Sequence, residues 1–225
     1  MKTGRLVAKT AAGAALAAGA GAVAYPLLFR RRCLNWGATA EEVAAKLPGD
    51  ELLPEPDITS TRVITIDAAP DAVWPWLAQM GSGRGGAYTY DWIENLFGLN
   101  MHSAEAILPQ FQDIKVGDEL PLGPKRPMMR VEVCDPGRAL TVRVADGNWV
   151  WIFALAERDG RTRLISRNRI ATPDAPVPVR LVGMLVMEPG SLIMERKMLL
   201  GIKERAERLA RAGGIDATAR AVRMS

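Results

Sequence analysis

The chain carries a single histidine, His102, and two cysteines, Cys33 and Cys134. One histidine leaves a Ser-His-Asp triad or a histidine-bound zinc with almost no material, and the cysteines form no CxxC pair. Acid/base work by oxygen groups stays open. Tyr88, Tyr90, Asp91 and Glu94 lie close in sequence, and His102 follows within a few positions. His102, Tyr90 and Asp91 are therefore the candidate catalytic residues, of the types that move protons in an aldol-type cyclisation. The same composition also suits an amphipathic helix, and a lone histidine after a helix is commonly structural or exposed. Gly81–Gly86 holds four glycines in six residues, but no GK[ST] follows and no GxGxxG is present. A turn is expected there rather than a phosphate loop, and neither a metal site nor a cofactor is expected anywhere.

A second set of candidates comes from strand register. Asp159-Gly160 is a two-residue hairpin signal. Counting outward pairs Leu155 with Leu164, Phe153 with Ser166, Trp151 with Asn168 and Trp149 with Ile170. One face is then aromatic with two small polar groups. The opposite face carries Arg163, Arg167 and Arg169, which this register turns outward to solvent or a membrane surface. Asp135-Pro-Gly-Arg138 marks another hairpin, pairing Val133 with Leu140, Val131 with Val142 and Met129 with Val144. Both hairpins alternate as half-buried antiparallel sheet does.

These strands need an element to close over them. From Ser191 to Arg211, Leu192, Met194, Met198, Leu199, Ile202, Ala206 and Leu209 recur at three- and four-residue steps, the stripe of a long helix. Thr61–Asp67 is a strand and Ala69–Met80 a helix with Pro75 inside it. Thr39 and Glu42 form a capping-box pattern for a short helix in a connector over 33–57. Val177–Met187 is apolar and punctuated by prolines, which suits a buried segment or a surface that touches lipid. A disordered tail is expected over 213–225.

Residues 1–32 hold six basic side chains and no acid, so the rest of the chain is close to neutral despite a net charge of +4. No concentrated basic face remains for nucleic acid. Residues 10–29 contain no charge, and twenty helical residues cover about 30 Å, the thickness of a bilayer's hydrocarbon core. Residues 1–32 are expected to form a single-pass N-terminal transmembrane anchor. Ala22-Val23-Ala24 has the form of a signal-peptide cleavage site, but the Arg30–Arg32 triplet argues for retention on the cytoplasmic side. Three basic residues flank each end, so orientation stays open.

The order strand, short helices, antiparallel strands, long helix resembles the helix-grip fold of the SRPBCC superfamily, which includes START lipid-transfer domains and polyketide cyclases/dehydratases. Thr61-Arg-Val-Ile-Thr-Ile-Asp-Ala-Ala-Pro-Asp-Ala-Val-Trp-Pro-Trp-Leu resembles that family's opening, Val116-Gly-Asp-Glu-Leu its second strand, and Met194–Glu207 its terminal helix. The resemblance covers residues 58–212. It implies an α+β domain, a curved antiparallel sheet wrapped around a long C-terminal helix, with an apolar cavity between them. Trp149, Trp151, Phe153, Ser166 and Asn168 from the sheet, and Met194, Met198 and Ile202 from the helix, would face a hydrophobic small molecule such as a lipid or polyketide. The superfamily has no shared catalytic set, so an enzyme of cyclase/dehydratase type and a membrane scaffold with a filled core stay open beside a binding protein.

Overall fold

A computed structural model describes residues 24–121, 123 and 128–224, the last eleven by backbone alone. Most of the expected transmembrane segment, residues 1–23, lies outside the described residues. The described chain enters through a π-helical turn, Tyr25–Phe29, that runs into α1, Arg30–Leu34. A short helix α2 follows at Ala40–Ala44, then strand β1 at Ile58–Ile66, helix α3 at Pro70–Ala78 and helix α4 at Asp91–Leu96. Strands β2 to β6 occupy Glu119–Pro121, Met128–Asp135, Ala139–Val144, Trp149–Arg158 and Arg161–Ile170. Helix α5, Val177–Val182, continues through a second π turn, Gly183–Met187, into α6, Glu188–Met224. Alanine, arginine and methionine favour helix, and α6 stays helical where a disordered tail is expected.

The six strands form one antiparallel sheet in the order β1-β6-β5-β4-β3-β2. This sheet and the long C-terminal helix make an α+β helix-grip architecture. The β5–β6 register matches the expectation at every pair named above. Asp159 and Gly160, with φ of 54° and 71°, supply the two left-handed residues such a tight loop needs. The β3–β4 hairpin departs near its turn. Its loop takes three residues, so Asp135 meets Ala139 and Val133 meets Thr141 rather than Leu140. A bulge between Val131 and Val133 absorbs the extra residue, and Val131–Val142 and Met129–Val144 pair as expected.

Both faces of the sheet are covered. On the inner face Val131, Leu140, Val142, Phe153, Leu155 and Leu164 pack against Val73, Trp76 and Leu77 of α3 and Met198, Leu199, Ile202 and Ala206 of α6. On the outer face Val63, Val150, Ile152, Ala154 and Ile165 pack under Leu47, Leu52 and Leu53 of the connector. This changes the surroundings expected for the outer arginines. Arg163, Arg167 and Arg169 do point outward, but each is tied to the connector, and Arg163 and Arg169 are only partly exposed. Arg167 is only 2% exposed. Its five N–H groups reach the Thr61 hydroxyl, the Asp50 carboxylate and the carbonyls of Glu42, Val43 and Ala45. It thereby caps the carboxyl end of α2. Arg163 grips the Glu42 carboxylate with two nitrogens, and Arg169 reaches Asp50 and the Leu53 and Pro54 carbonyls. Three arginines on one face of one strand thus hold the connector flat on the sheet.

Candidate functional site

Along β5 the inner face carries Trp149, Trp151, Phe153 and Leu155 in sequence. Their surroundings open progressively. Leu155 and Phe153 are buried in the core, Trp151 and Trp149 only half-buried. The three rings form a shelf: Trp149 and Trp151 stack at 5.8 Å between centroids, and Trp151 leans on Phe153 at 4.8 Å. Both indole N–H groups are spent within the protein. Trp149 Nε1 donates to Asn168 Oδ1 and Trp151 Nε1 to Ser166 Oγ, each at 2.9 Å and each a diagonal neighbour on β6. What the shelf leaves free is apolar ring surface. Met194 is half-buried, while Met198 and Ile202 are fully buried in the floor.

A polar network lies next to the shelf. Glu195 shares a helical face with Met198, Leu199 and Ile202, and is 7% exposed. Its Oε2 accepts from Asn168 Nδ2 at 3.2 Å and from the Arg62 guanidinium. Arg62 projects inward from β1, directly across from Ser166. It also donates to Ser191 Oγ at 2.9 Å and to the Cys33 carbonyl at 3.2 Å. Glu195 Oε1 is buried with no hydrogen-bond partner among the described residues. Burial pushes the Glu195 carboxyl above the usual carboxylate range, against the opposing pull of Arg62. A buried acid with an open acceptor can receive a ligand's hydroxyl or amine proton, or hold and release a proton of its own.

The sequence calls out Ser166 and Asn168 as polar groups needing partners; those partners are the indoles and Glu195. Residue type alone does not single out Arg62 and Glu195. Their signal was parity: Arg62 has the strand phase of Ile64 and Ile66, and Glu195 sits in the apolar stripe of the helix. The catalytic candidates are placed elsewhere. Asp91 holds the backbone N–H and the hydroxyl of Ser103 at 2.7 and 2.6 Å. The Tyr90 ring lies under Lys197, and His102 is exposed on a loop. The structure brings none of the three into hydrogen-bonding contact with Glu195 or the indoles. Glu94, buried in α4 with its carboxyl pushed up by desolvation, is likewise outside this network. A groove of about 350 Å³ lies across the other side of the sheet, lined mainly by Glu119, Arg130, Glu132, Arg143 and Asp146. Its charged walls do not suit a hydrophobic molecule, so the shelf is the better candidate.

No protein-family profile and no curated protein matches the chain. Solved structures do. An aromatase/cyclase from Streptomyces is 17% identical, with 70% of this chain and 98% of that one covered and a TM-score of 0.42. The self-sacrificing resistance protein CalC from Micromonospora echinospora is 11% identical, covering 68% and 96%, with a TM-score of 0.41. A Polyketide_cyc-like protein from Corynebacterium glutamicum is 18% identical, covering 71% and 93%, with a TM-score of 0.32. Each is a protein this chain is similar to.

Proposed function

We propose that the chain is a membrane-anchored binding protein for a hydrophobic small molecule, a lipid or polyketide-like compound, seated on the Trp149–Trp151 shelf. The observation that carries this reading is the pair of stacked, half-buried indoles with both N–H groups already satisfied. Such a surface offers flat apolar area at low entropic cost and no polar demand. Met194 supplies an adaptable wall, and Glu195 Oε1 an acceptor that fixes orientation. The uncharged run 10–29 would keep the site beside its lipid supply.

The test is direct. The full chain in mild detergent is titrated with a panel of lipids and aromatic polyketides, following tryptophan emission and thermal stability. A binder should change indole emission and raise the melting temperature. Trp151→Ala should move both responses to about tenfold higher ligand concentration while the protein stays folded. A panel without response, in a protein that elutes free of hydrophobic molecules, would refute the proposal in favour of a filled-core scaffold.

A second reading, an enzyme of cyclase/dehydratase type, is favoured by one feature: the Glu195 carboxyl, buried and with one oxygen unpartnered. Under it Glu195 takes the acid/base role first sought at His102, Tyr90 and Asp91. Glu195→Gln would then remove turnover and spare binding, whereas a pure binding protein would show no turnover to lose.

A further inference from the structure

The segment that joins the sheet to the long helix has an unusual surface. Val177, Val179, Leu181, Val182, Val186, Met187 and Ile193 are all exposed. Residues 177–194 contain only two charged side chains, Arg180 and Glu188, and both have partners within the protein. Arg180 donates to the Thr172 and Ala175 carbonyls and pairs with Asp57 at 3.6 Å. Glu188, buried, accepts Arg30 Nε and Nη2 at 2.9 and 2.8 Å and the Tyr25 hydroxyl at 3.1 Å. A charge paired in this way does not resist contact with lipid as a free one does.

Arg30 and Tyr25 belong to the chain's entry helix, which itself exposes Leu27, Leu28 and Phe29. Its first turn, Tyr25–Phe29, is the end of the uncharged run 10–29, so the Glu188 contacts tie the apolar segment to the end of the anchor that meets the domain. Arg31 and Arg32, exposed beside it, suit an anionic headgroup layer. The Tyr90 ring lies under Lys197, one turn beyond Ile193, so α4 begins beside the same face; its Trp92, Leu96 and Phe97 are exposed as well.

By length and composition the continuous helix could cross a bilayer, but its attachments argue against it. Arg180 is held at the mouth of the β1–β6 pair, and Glu195 is held by Arg62 and Asn168 of the same two strands. Fifteen helical residues between these ties span about 22 Å, less than a hydrocarbon core of roughly 30 Å. Both ends stay on one side of the membrane.

We propose that residues 177–194 lie in the plane of the membrane interface as a second lipid contact, locked to the N-terminal anchor through Glu188. This places the open end of the shelf, at Trp149, at the bilayer surface, so that a hydrophobic ligand exchanges with lipid without crossing water. It rests on the anchoring part of the function proposed above, and its test reads the segment separately from the anchor.

Single cysteines, Val186→Cys and Ile193→Cys, carry an environment-sensitive dye in the full chain, reconstituted in phosphatidylcholine–phosphatidylglycerol vesicles. Glu157→Cys, exposed at the far end of β5, is the control, and labelled wild type gives the background from Cys33 and Cys134. The proposal expects a blue shift at both test sites and loss of more than half the emission to lipids with a nitroxide near the headgroup, with the control unaffected. Four results would overturn it. Labels that aqueous iodide quenches freely while the protein floats with vesicles would leave the anchor intact and reject the segment. Quenching mainly by chain-end nitroxides would mean spanning. Protection without lipid quenching, with crosslinking between copies, would mean that a second chain covers the face. Failure to float at all would remove the anchor together with this proposal.

Discussion

Arg62→Met isolates the energetics of the buried pair. The substitution keeps an inward apolar side chain but strips Glu195 of its cation, leaving a buried carboxylate that keeps the hydrogen bond from Asn168. Removing one partner of a buried pair costs about 3–5 kcal/mol. For a chain of this size each kcal/mol moves the melting temperature by about 2–4 °C, so a fall on the order of 10 °C is expected. The pH dependence has a definite sign. Burial already raises the Glu195 carboxyl, and loss of Arg62 raises it further. A folded-state pKa above the unfolded value gives stability that is complete below the unfolded pKa and is lost as pH rises through the folded one. The variant should therefore be closest to wild type near about pH 4–5 and fall away towards neutrality. Arg62→Met combined with Glu195→Met removes both charges and should recover most of the loss. Denaturant unfolding in mild detergent, across pH and for all four members of the cycle, measures this. A single variant that loses less than about 1 kcal/mol, with a flat pH profile and no recovery in the double variant, would refute the reasoning.

Three further outcomes are expected. Arg167→Ala removes the cap on α2 and the Asp50 pair, so limited proteolysis should cut within residues 40–54 well before the wild type is cut. Gly86→Ala should lower the melting temperature by several degrees, because φ is +74° and an added Cβ would sit 2.7 Å from the His102 carbonyl oxygen. Trp151→Ala should weaken ligand binding about tenfold, the scale of a lost aromatic contact plus its buried area, as read by titration against a co-purified or panel ligand.

The fold was legible where local chemistry decides register. Asp159-Gly160 permits one tight loop, and alternation over ten residues on each side leaves the pairing no freedom. The β3–β4 turn was misplaced by one residue near its tip because Pro136-Gly137 reads equally as the whole loop or as part of a longer one. The two pairs beyond the bulge, locked by Val131 and Val142 in the core, were unaffected. The outer arginines show what parity cannot supply: their direction follows from alternation, but the acids and carbonyls they meet lie more than a hundred residues away in sequence. The same limit hid the site. Ser166 and Asn168 announced themselves as polar groups on an apolar face, whereas Glu195 was passed over as one charge in a long charged helix. Its place beside Met198 and Ile202 on the buried stripe was the available clue. His102, Tyr90 and Asp91 share suitable chemistry and proximity in sequence, and that proximity does not bring them to the shelf.

The central claim is that the shelf binds a hydrophobic molecule. Native mass spectrometry of the full chain, released from detergent and followed by organic extraction, tests it most directly. The account predicts a bound hydrophobic compound that the wild type carries and Trp151→Ala carries in smaller amount. An unliganded mass for both, with an empty extract, would contradict it.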